Sequence, residues 1–97
     1  MPKSEENRKT SQALWLALYQ RRWDDVGLYF AEDGLYQDVP TRDIGAVGPE
    51  QVARRLAIGH DPVEKHEHHI LRMVADDSCC ITEHQEDWYF HTGEVVK

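Results

Sequence analysis

The sequence predicts an α+β fold in which a strongly curved antiparallel sheet wraps around helices as a cone. Three observations predict it. The first quarter of the chain reads helical, with an almost wholly apolar run from Ala13 to Tyr19. A second helical segment, opening at Gly48-Pro49-Glu50, is inserted ahead of the long strands. The last third holds two extended runs joined by Asp76-Asp77-Ser78, the mark of a hairpin. Helices first and an antiparallel meander last make an α+β plan rather than a parallel one. The expected order is α-α-β-(β)-α-β-β-β in a single domain spanning 1–97.

The elements follow from local chemistry. Residues 1–6 are expected to fray. Ser4, or Thr10 with Ser11, is a candidate cap for a helix running to about Arg22. Asp24 reads as the N-cap of a short second helix ending in Leu28, Tyr29 and Phe30, with Trp23 stapled before it. Asp33-Gly34 marks a turn, and Leu35–Val39 reads as a strand closed by Pro40. Thr41–Val47 reads as a loop or short return strand. The next helix carries a stripe of Val52, Leu56, Ala53 and Ala57 and is expected to end at Gly59. Glu64–Ala75 and Cys79–His91 are the hairpin strands, and Glu94-Val95-Val96 begins another.

Composition narrows the class. With 97 residues, 40% hydrophobic and including three Trp, the chain is expected to fold as one small domain. A domain of this size buries a modest share of its surface and is expected to lean on a partner subunit. The net charge of −7 argues against nucleic acid, which calls for clustered Lys and Arg, and against an anionic membrane surface. Cys79 and Cys80 are neighbours, a spacing that suits neither a mutual bridge nor a zinc site. Reduced cysteines, the absence of a signal-like apolar run at the start and the absence of a span-length segment point to a cytoplasmic protein.

The strand from Thr82 to Phe90 is the most informative stretch. Alternation sends Thr82, His84, Glu86, Trp88 and Phe90 to one face and Glu83, Gln85, Asp87, Tyr89 and His91 to the other. Trp88 and Phe90 point the first face inward, so an imidazole and a carboxylate stand against a half-apolar interior, where such groups need partners. His84 and Glu86 are candidates for proton transfer. The alternative is a paired polar cluster without a catalytic role. Tyr36 is a candidate donor to a developing oxyanion, and Asp38 a candidate second base.

Other features have plainer readings. His66 and His68 share a strand face at a spacing that suits metal ligands, but no third ligand supports them, so no metal is expected. Asp24-Asp25 reads as capping rather than a catalytic pair. Trp15, Tyr19 and Trp23 recur at four-residue spacing, which suits a core or pocket wall. Arg54-Arg55 reads as a solvated helix face rather than an anion site.

Trp23-Asp24, Tyr29-Phe30-Ala31-Glu32-Asp33-Gly34 and Tyr36-Gln37-Asp38-Val39-Pro40 resemble the front of the nuclear-transport-factor-2-like superfamily, in its SnoaL-like and limonene-epoxide-hydrolase-like branch. Val74-Ala75-Asp76-Asp77, Thr82 to Trp88 and His91-Thr92-Gly93-Glu94 agree, so the resemblance covers about residues 13 to 96. It implies a cystatin-like cone with a pocket for a small, apolar, oxygenated ligand and no organic cofactor or metal. Epoxide hydrolases of this type carry Tyr-x-Asn-x-Pro on the first strand and Arg-x-Asp on a later one. Tyr36 matches, but Asp38, His84 and Glu86 stand where the pattern has Asn, Arg and Asp. A second catalytic Asp of the pattern belongs on a strand beyond Lys97. These departures argue against epoxide hydrolysis by this chain alone. The resemblance implies a small-molecule-binding protein with hydrolase or isomerase chemistry through Tyr36, Asp38, His84 and Glu86, and with Trp15, Tyr19, Trp88 and Phe90 against the substrate. The competing expectation is a non-catalytic dimer module. The family's last strands are expected to be missing, which would leave a sheet edge and an apolar face for a second copy to cover.

Overall fold

The computed structural model describes residues 3–38 and 43–97. These form α1 (Lys3–Tyr19), α2 (Trp23–Gly27), β1 (Leu35–Tyr36), β2 (Ala46–Val47), α3 (Gly48–His60), β3 (Val63–Ala75), β4 (Cys80–Phe90) and β5 (Val95–Val96). The order is the α+β order expected, and both sheets are antiparallel. The chain divides into two compact units, one of residues up to Trp15 with Asp61–Lys97, the other of Leu16–His60. Among the described residues no helix is long and apolar enough to cross a membrane.

The first unit is built on the β3-β4-β5 meander. Asp76 shapes its hairpin turn. Its Oδ1 accepts bonds from the Ser78 and Cys79 backbone N–H groups at 2.8 and 2.7 Å and from Ser78 Oγ at 3.1 Å. Next to the turn, Ala75 pairs with Cys80 and Val74 with Ile81. The register then slips between Ile70 and Arg72, leaving Leu71 as an extra residue, and slips again between Val63 and Lys65. Each slip changes which residues of β3 share a face. Residues 3–6, expected to fray, are helical because the turn holds them. The Ser4 N–H donates to Asp77 Oδ1 at 3.2 Å, Asn7 Nδ2 to the Asp76 carbonyl at 2.8 Å, and Arg8 to the Met73 carbonyl at 3.2 Å.

The second unit packs α2 and α3 with the end of α1 and the β1–β2 pair. Its buried side chains include Ala17, Leu18, Val26, Ala46, Val52 and Leu56. Each larger aliphatic side chain among them contributes roughly 1.5–3 kcal/mol by leaving water. Gly27 lets the helices approach closely, since a Cβ there would meet the Pro49 carbonyl oxygen at 2.9 Å. The helix α1 stops at Tyr19, short of the Arg22 expected. Arg21 adopts φ of 57°, the Arg21 N–H donates to the Leu18 carbonyl at 3.0 Å and the Arg22 N–H to the Ala17 carbonyl at 2.9 Å. That pattern caps the orphan carbonyls of a helix end, here with Arg in the left-handed position usually held by Gly.

Other boundaries also differ from expectation. Asp24 is not a cap; Arg22 holds that position without a side-chain cap bond, and Trp23 is already helical. Trp15, Tyr19 and Trp23 therefore do not lie along one helix. Gly59 is inside α3, which runs to His60 because the buried imidazole bonds back to the Leu56 carbonyl, Nδ1 at 2.8 Å. The strand expected over Leu35–Val39 is described for Leu35 and Tyr36; Val39, Pro40, Thr41 and Arg42 lie outside the described residues. Cys79 and Cys80 are free thiols, the first exposed.

Candidate functional site

In the first unit the predicted face of β4 is present. Thr82, His84 and Glu86 are half-buried while Ile81, Glu83 and Gln85 are exposed, and the alternation fades where Asp87 and Tyr89 are half-buried too. His84 Nε2 lies 2.6 Å from Thr82 Oγ1, and its ring lies 4.3 Å from the Trp15 ring. Glu86 Oε2 accepts a bond from Trp88 Nε1 at 3.3 Å, and Phe90 follows 6.4 Å from Trp88. Register adds what the sequence did not reveal. His68 stands opposite Glu86 and His66 opposite Trp88. The two histidine rings are 4.7 Å apart, and His66 meets Trp88 edge-on at 5.9 Å. One face of the hairpin thus carries three imidazoles, a carboxylate and a hydroxyl bracketed by Trp15, Trp88 and Phe90. Imidazoles beside a carboxylate on a half-apolar surface are suited to moving protons near neutral pH. Among the described residues no group of three or more His, Cys, Asp or Glu side chains is arranged to hold a metal ion.

Tyr36 and Asp38 lie in the second unit and are bonded to each other. The Tyr36 hydroxyl donates to Asp38 Oδ1 at 2.8 Å, and Asp38 Oδ2 accepts from Arg55 at 2.9 Å. Arg55 also grips Asp43, its two terminal nitrogens each 2.5 Å from a different carboxylate oxygen. Asp43 in turn accepts the N–H groups of Asp38 and Gly45 at 2.9 Å each. The Arg55 guanidinium lies 5.3 Å from the Tyr36 ring centroid. Burial, then the bond to the Asp38 carboxylate and its charge, push the Tyr36 phenol up to about 12. The bond from Arg55, then those from the Asp38 and Gly45 N–H groups, hold Asp43 well below the usual carboxylate range. The bond to Asp43 raises Arg55 further.

This cluster revises two expectations. The Tyr36 hydroxyl donates its one hydrogen bond to Asp38, so in this arrangement its remaining capacity is as an acceptor. Arg55 is not a solvated helix residue; its side chain is 31% exposed and directed at two aspartates, whereas Arg54 does pair with Glu50 in solvent at 3.0 Å. Asp43 was missed altogether. Asp43-Ile44-Gly45 carries an Asx-turn signature that would have marked it, and Arg55 borders the Val52/Leu56 stripe. Of the predicted apolar contacts, Tyr19 is half-buried at the end of α1. A separate open cleft of about 460 Å³ between α2 and α3 is lined by Trp23, Gly27, Leu28, Pro49, Ala53 and Ala57 with polar neighbours, and by none of the predicted site residues.

No family model matches the chain, and no curated protein matches it. Solved structures do. An LEH-like epoxide hydrolase of M. tuberculosis superposes with a TM-score of 0.78 at 24% identity, over 94% of this chain and 63% of that one. A protein from Catenulispora acidiphila gives a TM-score of 0.68 at 21% identity, over 93% of this chain and 69% of that one. The chain therefore spans less than two thirds of the length of the first. At this identity the likeness is one of fold: helices followed by antiparallel sheets, in the limonene-epoxide-hydrolase-like form of the nuclear-transport-factor-2-like architecture.

Proposed function

We propose that this protein binds a small, apolar, oxygenated molecule and hydrolyses or isomerises it by general acid/base catalysis, in the manner of SnoaL-like proteins. The observation that carries the reading is the half-buried row on the hairpin: His84 under Trp15, Glu86 bonded to Trp88, and His68 across from Glu86. In a hydrolysis, Glu86 takes a proton from water as the water oxygen bonds to the substrate carbon. His84 gives a proton to the oxygen that leaves. In an isomerisation, Glu86 removes a proton from carbon and the same dyad returns it at another carbon. Trp15, Trp88 and Phe90, all in the first unit, are read as contacts for the apolar body of the substrate. Tyr36 and Asp38, in the other unit, are read as ligand-binding residues.

The fold is compatible with several chemistries, so the residues rather than the architecture must carry the assignment. A panel of epoxides and enones tests it. Glu86→Gln should lower turnover by roughly 10²–10⁴-fold, the usual worth of a positioned acid or base, while circular dichroism and thermal unfolding stay close to the parent. Equal turnover by parent and variant would sink the reading.

A second reading, a non-catalytic dimer module, is favoured by a different observation. On the opposite face of the hairpin Val74 and Ile81 pair across the strands at 66% exposure each, near exposed Leu71. On this reading a second copy covers that face.

A further inference from the structure

The bonds around Arg55 form a chain that ends at Tyr36. Its guanidinium fork spans two carboxylates, Asp43 through both terminal nitrogens and Asp38 through one. Asp43 is only 12% exposed and is anchored by two backbone N–H groups, so the fork has a fixed base. Asp38 is more exposed, and its Oδ2 is held by Arg55 while its Oδ1 receives the Tyr36 hydroxyl. A planar, bidentate guanidinium is suited to fixing carboxylate orientation in this way.

We propose that Arg55, clamped by Asp43, is a positioning residue that holds the Asp38 carboxylate against the Tyr36 hydroxyl, directing the phenol's proton to Asp38 and leaving its lone pairs for a hydrogen-bond donor such as water or an alcohol. This rests on the reading of Tyr36 and Asp38 as ligand-binding residues and adds Arg55, which the sequence reads as a solvated helix residue, and Asp43, which it does not single out. The role has a signature. A cation 5.3 Å from the Tyr36 ring that acted only as a charge would favour the phenolate. A cation that holds a carboxylate against the hydroxyl has the opposite effect, since the carboxylate keeps the proton on the phenol.

The two roles therefore predict opposite signs for one measurement. A fluorinated tyrosine at position 36, which ionises at lower pH than tyrosine, is titrated by fluorine NMR within the folded range. Arg55→Gln is expected to make that phenol more acidic by about tenfold or more, moving it toward an ordinary phenol of its type. Arg55→Lys and Asp43→Asn are expected to act in the same direction, because a point charge does not span both carboxylates and an unclamped fork does not stay in place. A phenol that is unchanged or less acidic in a folded Arg55→Gln protein overturns the proposal. Should that variant unfold, Arg55→Lys decides by the same criterion, and unfolding of both would overturn it by making Arg55 a requirement of the fold. The readout needs no substrate, so it is separate from any failure of the turnover panel.

Discussion

Tyr36 and Asp43 belong to one cluster but respond at opposite ends of the pH scale. Asp43 is held below its ordinary value in the folded state, chiefly by Arg55. Its contribution to stability is present above the unfolded carboxylate value of about 3.9 and is lost as pH falls below it. Tyr36 is raised to about 12, chiefly by burial. Its contribution is present below the unfolded phenol value of about 10 and is lost as pH rises through about 12. Thermal unfolding across pH should therefore show an acid limb that Asp43→Asn flattens and an alkaline limb that Tyr36→Phe flattens. Curves unchanged at both ends would refute the cluster as drawn. Half of this cluster was legible in the sequence. Tyr36 and Asp38 are two residues apart in a segment that reads as a strand, so the expected alternation puts them on one side, although the strand itself ends at Tyr36. Arg55 and Asp43 join them through long-range packing of a helix against a loop, which no local spacing encodes.

At the scale of elements, type and order were legible because the helical stripe of Val52 and Leu56 and the turn chemistry of Asp76 are local signals. Register was not. Counting back from the turn pairs His68 with Asp87, whereas the extra residue at Leu71 slides the strands by one and pairs His68 with Glu86. Nothing in the residues around Leu71 announces the bulge, so the most informative cross-strand pair of the candidate site was out of reach. The return from β1 to β2 depends on the glycine of the Asp43-Ile44-Gly45 turn. Gly45 has φ of 87°, and a Cβ there would press on the Leu35 side chain and meet the Tyr36 carbonyl oxygen at 2.9 Å. Gly45→Ala should cost about 1–3 kcal/mol through backbone strain and contact. For a chain of this size each kcal/mol lowers the unfolding midpoint by about 4–8 °C, which scanning calorimetry would read. A midpoint within a degree or so of the parent would show that the turn relaxes freely.

At the scale of the whole molecule, charge and exposed apolar surface pull association in opposite directions. A net charge of −7 repels a second copy. The outer side of the hairpin invites one, with Val74 and Ile81 paired in solvent and Val95 of β5, opposite Tyr89, exposed as well. The ion pair of Arg72 with Glu83 interrupts that surface, but both partners are largely exposed and such a pair is worth little. Apolar contact is therefore the term to test, and salt separates it from ionic contact. Salt screens the repulsion between two acidic copies and leaves apolar burial intact, whereas it weakens any contact made by ion pairs. Sedimentation equilibrium should give twice the chain mass of 11.3 kDa, with association strengthening as salt is raised. Ile81→Glu, which places a charge on the outer face beside Val74, should return the monomer mass without changing the unfolding midpoint by more than a few degrees. A parent that stays monomeric at all salt concentrations would remove the dimer reading and leave the half-buried imidazole face as the feature that any account of this protein has to explain.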